Sequence, residues 1–230
     1  MDKSKWESGL PSEVEFWAEV ADGARAEYHE NLRRRATGDC PFPSELKPFI
    51  PVSGKMRVLD VGAGPQTVVG RNDGPKELEV VAIDPLASHY AEMLARNGIE
   101  PLVPTLYGEA EKVDEYGLGL FDITFSRNAL DHCYDPLAAI KAMLATIKPT
   151  GAVVFVGYVN EGVNENYNGL HQWNFMPTEH GDVVVWNRGH VVLLSNYLGD
   201  AWRVAATNNN GWYKVVITKA PKRSWLRLFS

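Results

Sequence analysis

From Met56 onward, short apolar runs alternate with stretches of helical periodicity. Arg57–Val61, Glu79–Ile83, Pro101–Val103, Phe121–Phe125 and Ala152–Tyr158 read as strands. Leu86–Asn97, closed by Gly98, and Pro136–Ile147, ending before Pro149, read as helices. Strands separated by helices predict a parallel sheet with right-handed crossovers. Farther on, Val183–Trp186 and Val191–Leu194 flank Asn187-Arg188-Gly189, a hairpin signal. A stronger one follows, with Trp202–Thr207 and Trp212–Thr218 flanking Asn208-Asn209-Asn210-Gly211. Such a pair adds an antiparallel strand at the C-terminal edge of the sheet.

The first 50 residues follow a different pattern. Ser12 and Glu15 have capping-box spacing just after Pro11, which predicts a helix start there. Val14, Trp17, Ala18 and Ala21 share one face of that helix. Gly23 interrupts the run, Ala24–Arg35 continues it, and Cys40-Pro41-Phe42-Pro43 closes the segment as a loop.

Composition narrows the class more than the chemistry. The 230 residues are 45% hydrophobic and 23% charged, an ordinary globular balance. Lys and Arg number 23 against 29 Asp and Glu, a net charge of −6, so a nucleic-acid partner is not expected. Cys40 and Cys133 form no metal or disulfide pattern and suit a reducing cytoplasm. No apolar run approaches the roughly 20 residues of a membrane span. The basic, aromatic tail Lys222–Phe229 suits either a packed end or a contact with a membrane or partner.

Chemistry concentrates at Val58-Leu59-Asp60-Val61-Gly62-Ala63-Gly64-Pro65, an apolar strand running into a glycine turn. Ligands of open α/β sheets sit at such strand ends, where glycine lets them approach the backbone. A dinucleotide fingerprint needs G-x-G-x-x-G, but Thr67 stands at the third glycine. Asp60 ahead of the turn would repel a pyrophosphate and suits a cationic ligand such as S-adenosylmethionine. Asp84 ends the next apolar strand. It has two readings, a helix N-cap or an acceptor for both ribose hydroxyls, and the glycine loop favours the second.

In order from Val58 to about Val156, the chain resembles the class I, Rossmann-like S-adenosylmethionine-dependent methyltransferases. The glycine loop and Asp84 carry the resemblance together with Gly108-Glu109-Ala110-Glu111 and the strand Phe121–Phe125 leading to Ser126. Ala129-Leu130-Asp131-His132 with Asp135-Pro136, and Ile147-Lys148-Pro149-Thr150-Gly151, complete it. The resemblance implies a three-layer α/β/α sandwich with a mostly parallel seven-stranded sheet and an antiparallel C-terminal strand. It also implies a helical lid over residues 1–50, ahead of a domain over 51–230 with an insertion at about 160–190. S-adenosylmethionine would be held by Asp60, Gly62, Ala63 and Gly64, with Asp84 and Pro85 at the ribose. Glu109 would accept from the adenine amino group and Ala110 would offer its backbone N–H. Ser126, Arg127 and Asn128 would lie where the methionyl end meets the acceptor. Two departures stand out: Gln66 replaces the family's third glycine, and Gly70, Asn72 and Gly74 interrupt the helix expected after the loop. The N-terminal segment is loosely similar to methyltransferases found with bacterial surface-polysaccharide genes.

On the acceptor side, His132 beside Asp131 has two readings, a general base or a residue that packs a loop. A metal site from Asp131, His132 and Asp135 has poor spacing, and none is expected. The segment Tyr167–Phe175 lies in a long connection, and such loops are often functional. There His171 reads as a base or acceptor-orienting residue, and Tyr167, Gln172 and Trp173 as acceptor contacts, although Trp173 also suits sealing a sheet edge. Arg33 could meet an acceptor phosphate or carboxylate, a solvated helix end being its other reading. The leading expectation is O-methylation of a small or glycan-linked acceptor. Transfer to nitrogen or carbon is a second reading within the same fold; an Asn-Pro-Pro-Tyr-type motif is absent after Phe125, which argues against DNA or glutamine amino groups. A non-catalytic S-adenosylmethionine-binding module and an NAD-dependent oxidoreductase are the alternatives from other classes. Oligomeric state leaves no trace in the sequence.

Overall fold

The computed structural model describes residues 1–221; the tail segment Lys222–Phe229 lies outside the described residues. Two helices, α1 (Lys3–Ala21) and α2 (Ala26–Thr37), precede β1 (Lys55–Val61), β2 (Glu77–Asp84), α3 (Ala87–Arg96) and β3 (Thr105–Tyr107). Then come β4 (Phe121–Arg127), α4 (Pro136–Ala145), β5 (Ile147–Tyr158), α5 (Glu161–Asn164), β6 (Asn174–Pro177) and β7 (Val183–Trp186). The chain continues through β8 (Val191–Leu193), α6 (Leu194–Leu198), β9 (Trp202–Asn209) and β10 (Trp212–Lys219). The main sheet has seven strands in the order β3-β2-β1-β4-β5-β10-β9. All neighbours are parallel except β10, which runs antiparallel to both β5 and β9. The Asn208–Gly211 turn thus makes the expected edge hairpin. Strand order reverses between β1 and β4, and ligands of open α/β sheets bind at that switch point.

Alternate positions of the strands feed two cores. Leu59, Val61, Phe121, Val153 and Phe155 pack against α4, Trp173 and Phe175 on one face. Met56, Val58, Ile123, Phe125 and Val154 pack against Phe42, Leu46 and Val69 on the other. No helix follows β1, in line with the glycines there. Its place is taken by residues 38–46. Arg71 donates its backbone N–H to Gly38, Asn72 donates to Cys40, and Phe42 donates back to Asn72. A Cβ at Gly70 would stand 2.0 Å from the Cys40 carbonyl oxygen, so only glycine permits this approach.

Four boundaries differ from the sequence reading. First, α1 begins at Lys3, capped by the Asp2 carboxylate, which accepts the Lys5 N–H at 2.8 Å. Pro11 and Ser12 lie inside that helix, and the Ser12 hydroxyl bonds the Gly9 carbonyl instead of capping. Second, the third strand is Thr105–Tyr107 and not Pro101–Val103. Pro101 and Pro104 lack ladder donors, and the Leu102 N–H goes to Ala36 at the end of α2. Third, α4 stops at Ala145, and Ile147 already pairs with Phe121 as the first residue of β5. Fourth, β7 and β8 form the expected hairpin but join β6 in a separate three-stranded sheet. Among the described residues no helix is long and apolar enough to cross a membrane.

Candidate active site

At the strand ends around the switch point lies a cavity of about 850 Å³, ample for a nucleoside-sized ligand and an acceptor. Its floor is the turn after β1. Gly62 and Ala63 donate their N–H groups to Ile83 O, which fixes the turn against β2. Gly62 has φ +71°, and a Cβ there would stand 2.5 Å from that of Ala129. The turn therefore sits flush with the segment after β4 because it has no side chain at that point.

Two buried carboxylates flank this floor. Asp84 accepts the Gly64 N–H at 3.0 Å and the Leu86 N–H at 2.9 Å. Burial outweighs these bonds and pushes its pKa up to about 7. Asp60 accepts the Thr67 hydroxyl at 2.6 Å and the Val68 N–H at 3.3 Å, and burial raises it to about 6. Thr67 thus has a structural reason to replace the third glycine: its hydroxyl supports Asp60. Pro85 and Ala63 also line the cavity.

Glu109 is held differently. Its carboxylate accepts Lys3 Nζ at 2.7 and 2.9 Å, the Tyr107 hydroxyl at 3.2 Å and the Tyr134 hydroxyl at 3.0 Å, with Lys112 at 3.2 Å. Burial alone would raise its pKa, but Lys3, Lys112 and Tyr134 outweigh it and hold the group at about 2. Four donors fill a carboxylate's accepting positions. An adenine amino group at Glu109 must therefore replace one of them. Ala110 opens a 3-10 stretch, so its N–H lies in a first turn without an intrahelical partner.

At the end of β4, Ser126, Arg127 and Asn128 all face the cavity. The Ser126 hydroxyl and the Asn128 side-chain oxygen are buried without hydrogen-bond partners. Buried polar atoms normally find a partner, so these two mark where a polar ligand fits. Arg127 reaches outward, its guanidinium 5.3 Å from the Trp212 ring centre.

A second cluster on the cavity wall joins residues far apart in sequence. Asp131, 3% exposed, contacts His171 Nδ1 through Oδ2 at 2.7 Å. His132 Nε2 lies 3.1 Å from that same Nδ1 and 3.6 Å from the same Oδ2. Burial acts to raise Asp131, but His132 and His171 outweigh it and lower its pKa. Burial acts to lower His171, but Asp131 outweighs it and raises the imidazole. Both imidazoles line the cavity. Asp135 stands apart from this cluster, capping α4 by accepting the Leu137 and Ala138 N–H groups.

The other acceptor candidates do not line the cavity. Gln172 donates to Tyr167 O and Gly169 O and accepts Lys5 Nζ, holding the loop together. Trp173 is 4% exposed in the core, which supports its sheet-sealing reading. The Tyr167 hydroxyl accepts from Asn174, and its ring lies under Arg188. Arg33 is on the exposed side of α2; Arg35, two positions on, turns inward to line the cavity instead. The sequence reading missed Trp6, Leu10, Glu13 and Trp17 as lining residues. Their spacing, i, i+4, i+7 and i+11, is a helical stripe that could have revealed them.

A family profile described as a methyltransferase domain matches residues 59–155, from β1 into β5. No curated protein matches the chain. Among solved structures, a DhpI–SAM–HEP complex is 15% identical, covers 96% of this chain and 100% of its own, and gives a TM-score of 0.50. An O-methyltransferase family protein from Burkholderia thailandensis is 11% identical, with 73% and 52% covered and a TM-score of 0.49. At these identities the likeness is one of fold. Residues 59–155 thus match a methyltransferase domain, set in a chain of Rossmann-like architecture. The flush glycine turn and the two unpartnered polar atoms have the form of a site for S-adenosylmethionine.

Proposed function

We propose that the chain methylates a hydroxyl oxygen of a small or glycan-linked acceptor, and that Asp131, His132 and His171 hold and activate that oxygen. One observation carries this reading: both imidazoles of the cluster line the same cavity as the glycine turn and Asp84, with the Asp131 carboxylate buried behind them. When bound, S-adenosylmethionine supplies an electrophilic methyl group on a sulfonium. Asp60 and the Gly62–Gly64 backbone bind its methionyl part, Asp84 with Pro85 its ribose, and Glu109 and Ala110 the adenine side. Ser126 and Asn128 offer unpartnered oxygens at the junction with the acceptor.

A hydroxyl is a weak nucleophile until its proton is held or displaced. Asp131 fixes the His171 ring through Nδ1 at 2.7 Å, leaving its other edge for the acceptor. An amine that is already unprotonated would need no such group, so the cluster supports an acceptor that must lose a proton, which in this reading is a hydroxyl. It also supports catalysis over mere binding of the cofactor. Residues 1–50 act as a lid in this reading. Trp6 and Trp17 line the cavity, Lys3 grips Glu109, and the Met1 amino group donates to Tyr134 O at 2.8 Å. A lid that excludes water favours in-line transfer, where positioning alone supplies roughly 7–11 kcal/mol in favourable cases. Both cysteines are free thiols, which suits a cytoplasmic setting, and the N-terminal resemblance favours a surface-polysaccharide precursor as acceptor.

The test is a screen of hydroxyl-bearing sugars and nucleotide-linked glycans with methyl-labelled cofactor, the linkage being read by NMR. Label on oxygen is the expected result. Label found only on nitrogen or carbon would overturn the proposal.

A further inference from the structure

The contacts within the Asp131–His132–His171 cluster exceed what its protons can supply. His171 Nδ1 carries at most one hydrogen, and two acceptor-type atoms approach it, Asp131 Oδ2 at 2.7 Å and His132 Nε2 at 3.1 Å. If that hydrogen goes to Asp131, the His132 contact is at best half of a forked bond. If His132 donates instead, a bare His171 nitrogen faces the carboxylate. The remaining pair, His132 Nε2 and Asp131 Oδ2, is 3.6 Å apart, too long for a hydrogen bond. No placement of protons gives each of the three atoms a bond of its own.

A cation resolves this, because three lone pairs can point at one centre. Ligand bonds of about 2.1 Å at octahedral or tetrahedral angles put neighbouring donor atoms about 3.0–3.4 Å apart. The observed 2.7, 3.1 and 3.6 Å bracket that spacing. Among the described residues, these three form the group of His, Cys, Asp and Glu side chains whose ligand atoms all lie within 4.8 Å of one another. The imidazole side chains are 18% and 25% exposed and open on the cavity, whereas the carboxylate is buried behind them. Protein therefore closes one side of the triangle and the cavity leaves the other free.

We propose that Asp131, His132 and His171 form a binding site for one divalent transition-metal ion. Two imidazole nitrogens and one carboxylate oxygen on a single face, with open positions opposite, suit iron(II), cobalt(II) or zinc and not magnesium or calcium, which prefer all-oxygen sets. The ion's open side faces the acceptor end of the cavity. Resting on the oxygen-acceptor reading above, it would assign His171 the role of ligand, with the ion lowering the pKa of an acceptor hydroxyl that gives its proton to water.

The site is tested on the full chain without cofactor or acceptor, so its failure is separable from that of the methyl-transfer reading. Calorimetry with Co²⁺ and Zn²⁺ should give one bound equivalent. Affinity should fall at least about 10–100-fold in His132→Gln, His171→Gln and Asp131→Asn, with circular dichroism reporting the fold. His89→Ala, on the exposed side of α3, should bind as the wild type does. A second readout needs no variant: in the Co²⁺-loaded wild type, two exchangeable, paramagnetically shifted ring N–H signals should appear, one for each ligating histidine. No equivalent bound by the folded wild type, unchanged affinity in the folded cluster variants, or no shifted ring signals would each overturn the proposal.

Discussion

Replacing His171 by alanine should lower kcat by about 10²–10⁴-fold, the usual share of a group that handles the acceptor's proton. S-adenosylhomocysteine affinity should stay as in the wild type. The cause is local: His171 meets Asp131 through Nδ1 and otherwise faces the cavity, while the cofactor contacts lie on the Asp60–Gly64 turn and at Asp84. Asp131→Asn should cost a comparable amount, because the amide replaces the carboxylate that orients the ring. The double variant should be little worse than either single one, since residues acting as a unit are not additive. Single-turnover kinetics with labelled cofactor checks all three. Unchanged turnover in His171→Ala would remove the histidine from the chemistry, and a parallel loss of cofactor affinity would make its role structural.

Asp84→Asn should weaken S-adenosylhomocysteine binding by roughly 10–100-fold. Hydrogen bonds to a charged acceptor contribute about 1.5–3 kcal/mol each, and some of that is lost when an amide takes the place of the carboxylate. The amide also cannot accept both the Gly64 and Leu86 N–H groups as the two carboxylate oxygens do. The wild type should show a pH dependence that this variant lacks. In the free protein burial raises Asp84 to about 7, so below neutrality it is largely protonated and a poorer acceptor for the ribose hydroxyls. Affinity should therefore rise from pH 6 to pH 8. Stability moves the other way. A carboxyl raised on folding contributes stability that is fully present below its unfolded pKa of about 3.9 and is lost as pH rises through 7. Asp60, raised to about 6, adds to the same trend. Calorimetric titrations across that range, with thermal melts of the free protein, measure both slopes. Equal slopes in wild type and variant would remove Asp84 from the ribose contact.

Where local pattern decides structure, it was readable. The strands around Val58–Val61, Val80–Ile83 and Phe121–Phe125 are apolar because both faces of the sheet are covered, and their carboxyl ends place Asp60, Asp84 and Ser126 as expected. The missing helix after β1 was legible in Gly70, Asn72 and Gly74, although that Cys40 would occupy its place was not. Elsewhere local rules competed. Ser12 and Glu15 satisfy a capping box, yet Asp2 offers an earlier cap and burial of Trp6 favours continuing the helix through Pro11. Tyr167, Gln172 and Trp173 carry the composition of a ligand loop, but its backbone groups needed partners and those side chains supplied them or the core.

The least legible features join distant positions. Nothing in the sequence pairs Asp131 with His171 or Lys3 with Glu109, because each contact depends on how a loop returns across the sheet. The sequence sets His132 beside Asp131 and leaves His171 by itself, and only the fold shows that both imidazoles share that one carboxylate. That meeting changed the reading of the site from a single base to a three-atom cluster.

The glycine turn and Asp84 remain the foundation of the account, and calorimetry on the full chain tests them most directly. S-adenosylhomocysteine should bind with a stoichiometry of one, and NAD should give no heat of binding. Tight NAD binding in the absence of S-adenosylhomocysteine binding would contradict the account.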